Sequence, residues 1–302
     1  MPPNEVGVRQ QRAARVTLAS KAAHQAADQR CHVRIRLGYE LKYTFTQPTP
    51  VILTLTIHHS RAGDLVSPDR LSTDPAIPTR AYRDGFGNWC TRLVAPAGAL
   101  RIWSQAVVND SGLPDVIVPQ AQQLPVDSLP EETLVYLLGS RYCETDQLSE
   151  LAWKMFERGP TGWGRVQAIC DFVHRHIKFG YEFASPTKTA FGAYNEGRGV
   201  CRDYAHLAIT LCRCMNIPAR YCTGYLGDIG VPPVDAPMDF AGWFEAYLGG
   251  TWYTFDARNN VPRIGRVLIA RGRDAADVAL NTTFGPNKLE SFAVQAEEIA
   301  GS

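Results

Sequence analysis

The sequence predicts an α+β protein in two parts, an all-β unit first and a mixed α+β unit after it. Three observations carry that expectation. Runs of alternating apolar and polar residues recur up to about residue 108, a proline-rich break follows, and helical periodicity then gives way to new strand-like runs. A chain of 302 residues is long enough to bury a full core in one large domain or two ordinary ones. The balance of 31 basic and 30 acidic residues gives no electrostatic case for a nucleic-acid or anionic-membrane partner. No apolar run reaches the length of a membrane span.

Residues 1–31 are rich in Ala, Arg and Gln without an apolar block, and read as a flexible, solvated tail. Folding begins near residue 32. Alternation predicts strands over 33–45 and 51–58, a hairpin over 80–94 turning at Asp84-Gly85-Phe86-Gly87-Asn88, and a strand over 99–108. Residues 32–112 thus form the N-terminal β-domain. His58 and His59 are adjacent and, on a strand, would face opposite sides. Residues 113–130, with four prolines, form the linker. Helices are expected over 131–138, 148–158 and 163–177, and the second domain over 131–302. His174 and His176 fall at the last turn of the third helix and read as surface residues near its negative end.

The most informative stretch is 199–225, GVCRDYAHLAITLCRCMNIPARYCTGY. Gly197 and Gly199 flank a loop that delivers Cys201 to the start of a helix, with Ala205, Ala208, Cys212 and Met215 on one face. Asn216 and Pro218 end the helix, and a strand follows over 219–225. A cysteine on a first helical turn faces unpaired backbone N–H groups that lower its pKa. Cys201 is therefore the candidate nucleophile. As a free cysteine it also has the alternative of a small buried side chain. Eight scattered cysteines in so long a chain indicate reduced thiols and a cytoplasmic setting. No C-x-x-C pair occurs, so no metal is expected, and no other cofactor is implied.

The segments GVCRDYAHLAI and NIPARYCTGYL, together with PMDFAGWFEAYLGGTWYTFDARNN and RVLIARGRDAADVAL, resemble the bacterial transglutaminase-like superfamily. The resemblance covers nearly the whole chain. It implies a papain-like core behind an N-terminal β-domain. It also implies that Cys201 attacks a glutamine carboxamide or peptide carbonyl to form a thioester, which an amine or water resolves. Asp256 matches the family's triad aspartate, and the histidine would fall at position 241.

Independently, Gly249-Gly250 predicts a two-residue hairpin between strands over 239–248 and 251–258. Tyr247 then pairs with Trp252, Trp243 with Asp256, and position 241 with Arg258, so that 241 is a diagonal neighbour of Asp256. Position 241 is alanine, which removes the general base. His206 lies five residues past Cys201, rotated by about 140° around the helix; it is expected to brace the helix, with replacement base as its alternative catalytic role. Gly199, Trp243 and Arg258 are candidate cleft residues, with the core as the alternative for Trp243. Arg263, Arg266, Arg271 and Arg273 read as a solvated basic stripe. Two functions remain open. One is a cysteine-dependent amide or peptide hydrolase or acyl transferase, impaired at Ala241; the other is a non-catalytic peptide- or protein-binding module.

Overall fold

A computed structural model describes residues 33–234 and 237–299. The tail expected over 1–31 lies outside them. In chain order the first unit supplies β1 (Val33–Phe45), β2 (Thr49–Leu53), β3 (Leu65–Ser67), β4 (Ser72–Asp74), β5 (Thr79–Arg83), β6 (Trp89–Ala95) and β7 (Gly98–Asp110). Then come α1 (Glu131–Leu134), α2 (Thr145–Phe156), α3 (Trp163–His176), β8 (Lys178–Phe179), α4 (Ala190–Glu196), β9 (Arg198–Gly199), α5 (Cys201–Cys214) and β10 (Ala219–Leu226). The chain finishes with β11 (Ala241–Leu248), β12 (Thr251–Phe255), β13 (Arg266–Gly272), β14 (Asn281–Thr283) and β15 (Asn287–Ile299).

Along β1, Ile35, Leu37, Tyr39, Leu41, Tyr43 and Phe45 are buried, the period-two pattern that the sequence predicts. The strand lies between β7 and β15, with β3 and β4 on the far side of β7. A second sheet runs in the order β14-β2-β6-β5. Its Val51, Leu53 and Leu93 share a core with the inward face of β1. The turn joining β5 to β6 is built by Asp84, whose Oδ1 accepts the N–H groups of Phe86 and Asn88, each at 2.9 Å.

The second unit is organised by α5. From Asp203 to Cys214 every side chain of this helix is buried. It packs on β10 and β11 of the sheet ordered β12-β11-β10-β13, and α2, α3 and α4 surround it. A helix enclosed in this way opens only its first turn to solvent.

Four expectations change. The helix over 131–138 shrinks to α1 followed by a 3-10 turn over Val135–Leu137. The strand over 51–58 ends at Leu53, and His58 instead caps the 3-10 turn His59–Asp64 by accepting the Ser60 N–H. With no strand there to alternate, the His58 and His59 rings lie 4.0 Å apart rather than on opposite faces. Residues 281–299, assigned to the second unit, return to the first. β14 pairs with β2, and β15 runs antiparallel to β1 from Arg34↔Ile299 to Phe45↔Asn287.

The connection over 113–130 is a strap laid across the second unit. The Asp115 N–H donates to the Arg263 carbonyl at 2.9 Å, and the Ala121 carbonyl accepts the Trp163 N–H at 2.9 Å. The Gln122 carbonyl accepts the Gly249 N–H at 2.8 Å, and the Gln123 side chain reaches the Met215 carbonyl at 2.8 Å. Gly162 sits at φ +60°, and a Cβ there would come within 2.3 Å of the Ala121 carbonyl oxygen, so the strap requires glycine under it. No described helix is long and apolar enough to cross a membrane.

Candidate functional site

Local structure places Cys201 with little freedom. α4 ends at Gly197 in the left-handed conformation, φ 61°, and β9 pairs in parallel with β8. The Asp203 carboxylate reaches back to accept the Val200 N–H at 2.8 Å, closing the first turn of α5. A Cβ on Gly199 would lie 2.4 Å from that carboxylate oxygen, so the predicted cleft glycine acts by letting the loop close onto the helix. Cys201 is half-buried, whereas the other six described cysteines are buried.

The Cys201 sulfur opens into a cavity of about 440 Å³. Phe179, Tyr181, Asp239, Ala241 and Arg258 line it together with Cys201, and so do Glu297 and Glu298 of β15. Burial pushes the Cys201 thiol up; the Gly242 N–H bonded to the sulfur and the Arg258 guanidinium act against it, while Asp239 and Asp256 add to the rise. The expected lowering of this pKa is therefore corrected, because burial and two carboxylates outweigh the favourable donors.

The predicted hairpin register holds from Tyr247↔Trp252 and Leu248↔Thr251 up to Phe244↔Phe255, and stops there. Asp256 ends the strand by accepting the N–H groups of Arg258 at 3.0 Å and Asn259 at 2.9 Å on Oδ1. The expected cross-strand pairs of Trp243 with Asp256 and Ala241 with Arg258 consequently do not form. Oδ2 of Asp256 accepts from Asn259 Nδ2 at 2.7 Å and Arg266 Nη2 at 2.8 Å. Burial alone would raise this carboxyl, but the Arg266 guanidinium and the Asn259 donors hold it below its usual value. Arg266 also pairs with Asp115 of the strap at 2.8 Å, and its guanidinium lies 5.2 Å from the Trp243 ring. Trp243 is buried beneath it and does not line the Cys201 cavity, which corrects its reading as a cleft residue. Arg263 and Arg266 are likewise largely buried and hydrogen-bonded rather than a solvated stripe.

None of the five described histidines lines the cavity. His206 is fully buried, its Nε2 accepts the Ala275 N–H at 3.1 Å, and its ring stacks on Tyr142 at 5.1 Å. Burial, with Arg202 and Arg213 nearby, drives its pKa well below the usual imidazole value, so it stays neutral as a brace. His174 Nδ1 donates to the Arg258 carbonyl at 2.9 Å, and His176 Nε2 to the Tyr194 carbonyl at 2.6 Å. Both hold loops. Sequence reasoning missed Asp239, Glu297, Glu298 and the Asp115–Arg266 pair. Asp239 stands two residues before Ala241, a spacing that repeats along an extended chain and marks it as a cleft candidate. The other three depend on contacts between distant segments and carry no local signal. No group of three or more His, Cys, Asp or Glu side chains among the described residues forms a metal site.

A family model described as the transglutaminase-like superfamily matches residues 150–257. A solved structure from Cytophaga hutchinsonii, described as a "putative cysteine protease", superposes with a TM-score of 0.77 at 30% identity, covering 90% of this chain and 92% of that one. An uncharacterised protein of Mycobacterium leprae is 26% identical over 259 residues, 82% of this chain and 91% of its own. An uncharacterised protein of Mycobacterium tuberculosis is 28% identical over 234 residues, 69% and 73% of the two chains.

Proposed function

Starting from the premise that the chain belongs to the transglutaminase-like superfamily, we propose that it binds a peptide or protein segment in the Cys201 cavity without turning it over at the rate of a complete triad. One observation carries this reading: no described imidazole lines the cavity. A thiol whose pKa is raised needs a base to reach its nucleophilic form and an acid to release an amine, and an imidazole does both. The carboxylate that would orient an imidazole is already engaged by Arg266 and Asn259. What remains is a shaped cavity whose apolar side chains, among them Phe179, Tyr181 and Phe240, alternate with charged ones, which suits a ligand site.

The alternative, a cysteine-dependent amide hydrolase or acyl transferase, is favoured by the Gly242 N–H directed at the sulfur and by the Cytophaga hutchinsonii relative. Casein distinguishes the two. The binding reading expects neither casein cleavage nor incorporation of a fluorescent amine into casein above the level of Cys201→Ala. It expects a tryptic digest of casein to protect Cys201 from iodoacetamide. Cys201-dependent turnover at about 1 s⁻¹ or faster, the ordinary range of enzymes, would overturn it.

A further inference from the structure

Three arginines gather around the Cys201–Asp256 region, and two of them are already ion-paired to carboxylates of this chain. Arg263 donates to the Gly227 carbonyl at 2.9 Å and to Asn259 Oδ1 at 3.2 Å, with Asp228 at 3.5 Å. Arg266 bridges Asp115 and Asp256, each at 2.8 Å. Arg258 differs. Its backbone is fixed at both ends, the N–H on Asp256 and the carbonyl on His174. Its guanidinium lies 4.1 Å over the Phe179 ring and, among the described residues, has no ion-pair partner. It lines the cavity and is close enough to the sulfur to favour the thiolate.

We propose that Arg258 is a specificity residue that receives a carboxylate of the bound ligand next to Cys201. The ligand is then a peptide with an acidic side chain or a terminal carboxylate on the residue facing the thiol or its neighbour. This rests on the reading of the Cys201 cavity as a ligand site. A guanidinium held on an aromatic face presents a planar fork that fits a carboxylate with two parallel hydrogen bonds. The remaining charges of the cavity select the anion. Asp228, Asp239, Glu297 and Glu298 line the same space, so a dianionic phosphate meets four carboxylates, whereas a single carboxylate at Arg258 meets the guanidinium with the least repulsion.

Two alkylating reagents of nearly equal size test this, because iodoacetate carries a carboxylate and iodoacetamide does not. Both form the same S–C bond and expel iodide, so the ratio of their rates at Cys201, read by peptide mapping, cancels any change in thiolate fraction. Arg258→Gln should lower the iodoacetate-to-iodoacetamide ratio by about two- to fivefold, the weight of one partly exposed ion pair. Arg258→Lys, which keeps the charge and loses the fork, should fall between. The difference in ratio between the wild type and Arg258→Gln should shrink in about 0.5 M NaCl, because salt screens the one charge that the two proteins do not share. If iodoacetamide labels Cys201 while the ratio ignores both substitutions, the carboxylate role of Arg258 is wrong and the cavity reading stands. If neither reagent reaches Cys201, both fall.

Discussion

At the scale of single residues, exposure rather than acidity distinguishes Cys201. Iodoacetamide should label it ahead of Cys90, Cys143, Cys170, Cys212, Cys214 and Cys222, all buried and all with thiols pushed up by burial. Its rate should keep climbing above pH 8.5, the ordinary thiol pKa of about 8.5 being exceeded here. A labelling pKa below 7 would show that the helix start outweighs burial after all. Asp256 makes the opposite kind of prediction. Its folded pKa is depressed, so its contribution to stability is present above the unfolded value of about 3.9 and fades as pH falls through the folded one. Asp256→Asn should cost about 3 kcal/mol at pH 7, because it leaves Arg266 buried with half of its charge partners. Urea unfolding of both proteins should show that gap shrinking below pH 4; a gap independent of pH would mean that the pair is not the source.

At the scale of elements, the start of α5 and the end of β12 decide the site. The helix start was legible because glycines, a first-turn acid and the apolar spacing are local signals. The hairpin was legible for the same reason, through Gly249-Gly250, and its register is the one read from the turn. Its end was only partly legible, because an aspartate can cap a turn by taking the N–H groups two and three residues on, and the sequence does not say whether that or continued pairing wins. The buried partners of Arg266 were also hidden, since Asp115 lies 151 residues away. This changes what Ala241→His can achieve. The alanine lines the cavity and leaves room, but the carboxylate that would orient the new imidazole is occupied. General-base help is worth about 10²–10⁴-fold when aligned. Burst acylation of Cys201 by an activated ester should therefore rise less than 10²-fold; a larger burst would mean that Asp256 exchanges Arg266 for the imidazole. Gly242→Ala tests the backbone donor to the sulfur. A Cβ there would come within 2.5 Å of the Tyr221 hydroxyl, and the strain should lower stability by about 1–3 kcal/mol. The donor on the sulfur should shift with it, moving the labelling pKa of Cys201 further up, as read from the pH dependence of alkylation.

At the scale of the whole molecule, the last strands leave the helical unit and pair with the first sheets. Residues 281–299 carry no sequence sign that they leave the unit they follow, because their partners β1 and β2 lie more than 200 positions earlier. The consequence is functional as well as architectural, for the same β15 that completes the first sheet brings Glu297 and Glu298 to the Cys201 cavity. A chain stopped after residue 286 should lose cooperative unfolding and accumulate as aggregate in size-exclusion chromatography, with β1 left as an open edge. A monomeric, cooperatively folded product would show that β15 is an ornament.

The position of β1 between β7 and β15 also sets a schedule for synthesis. The first described strand to leave the ribosome receives its second neighbour only when the last one has been made. Until β15 is made one side of it stays open, while the helical unit is already emerging behind it. Long-range pairing of this kind is slow to form and exposed to wrong partners in the interval. β1 is thus enclosed on both sides only once β15 has been made, and a chain stalled before residue 287 presents that unpaired edge.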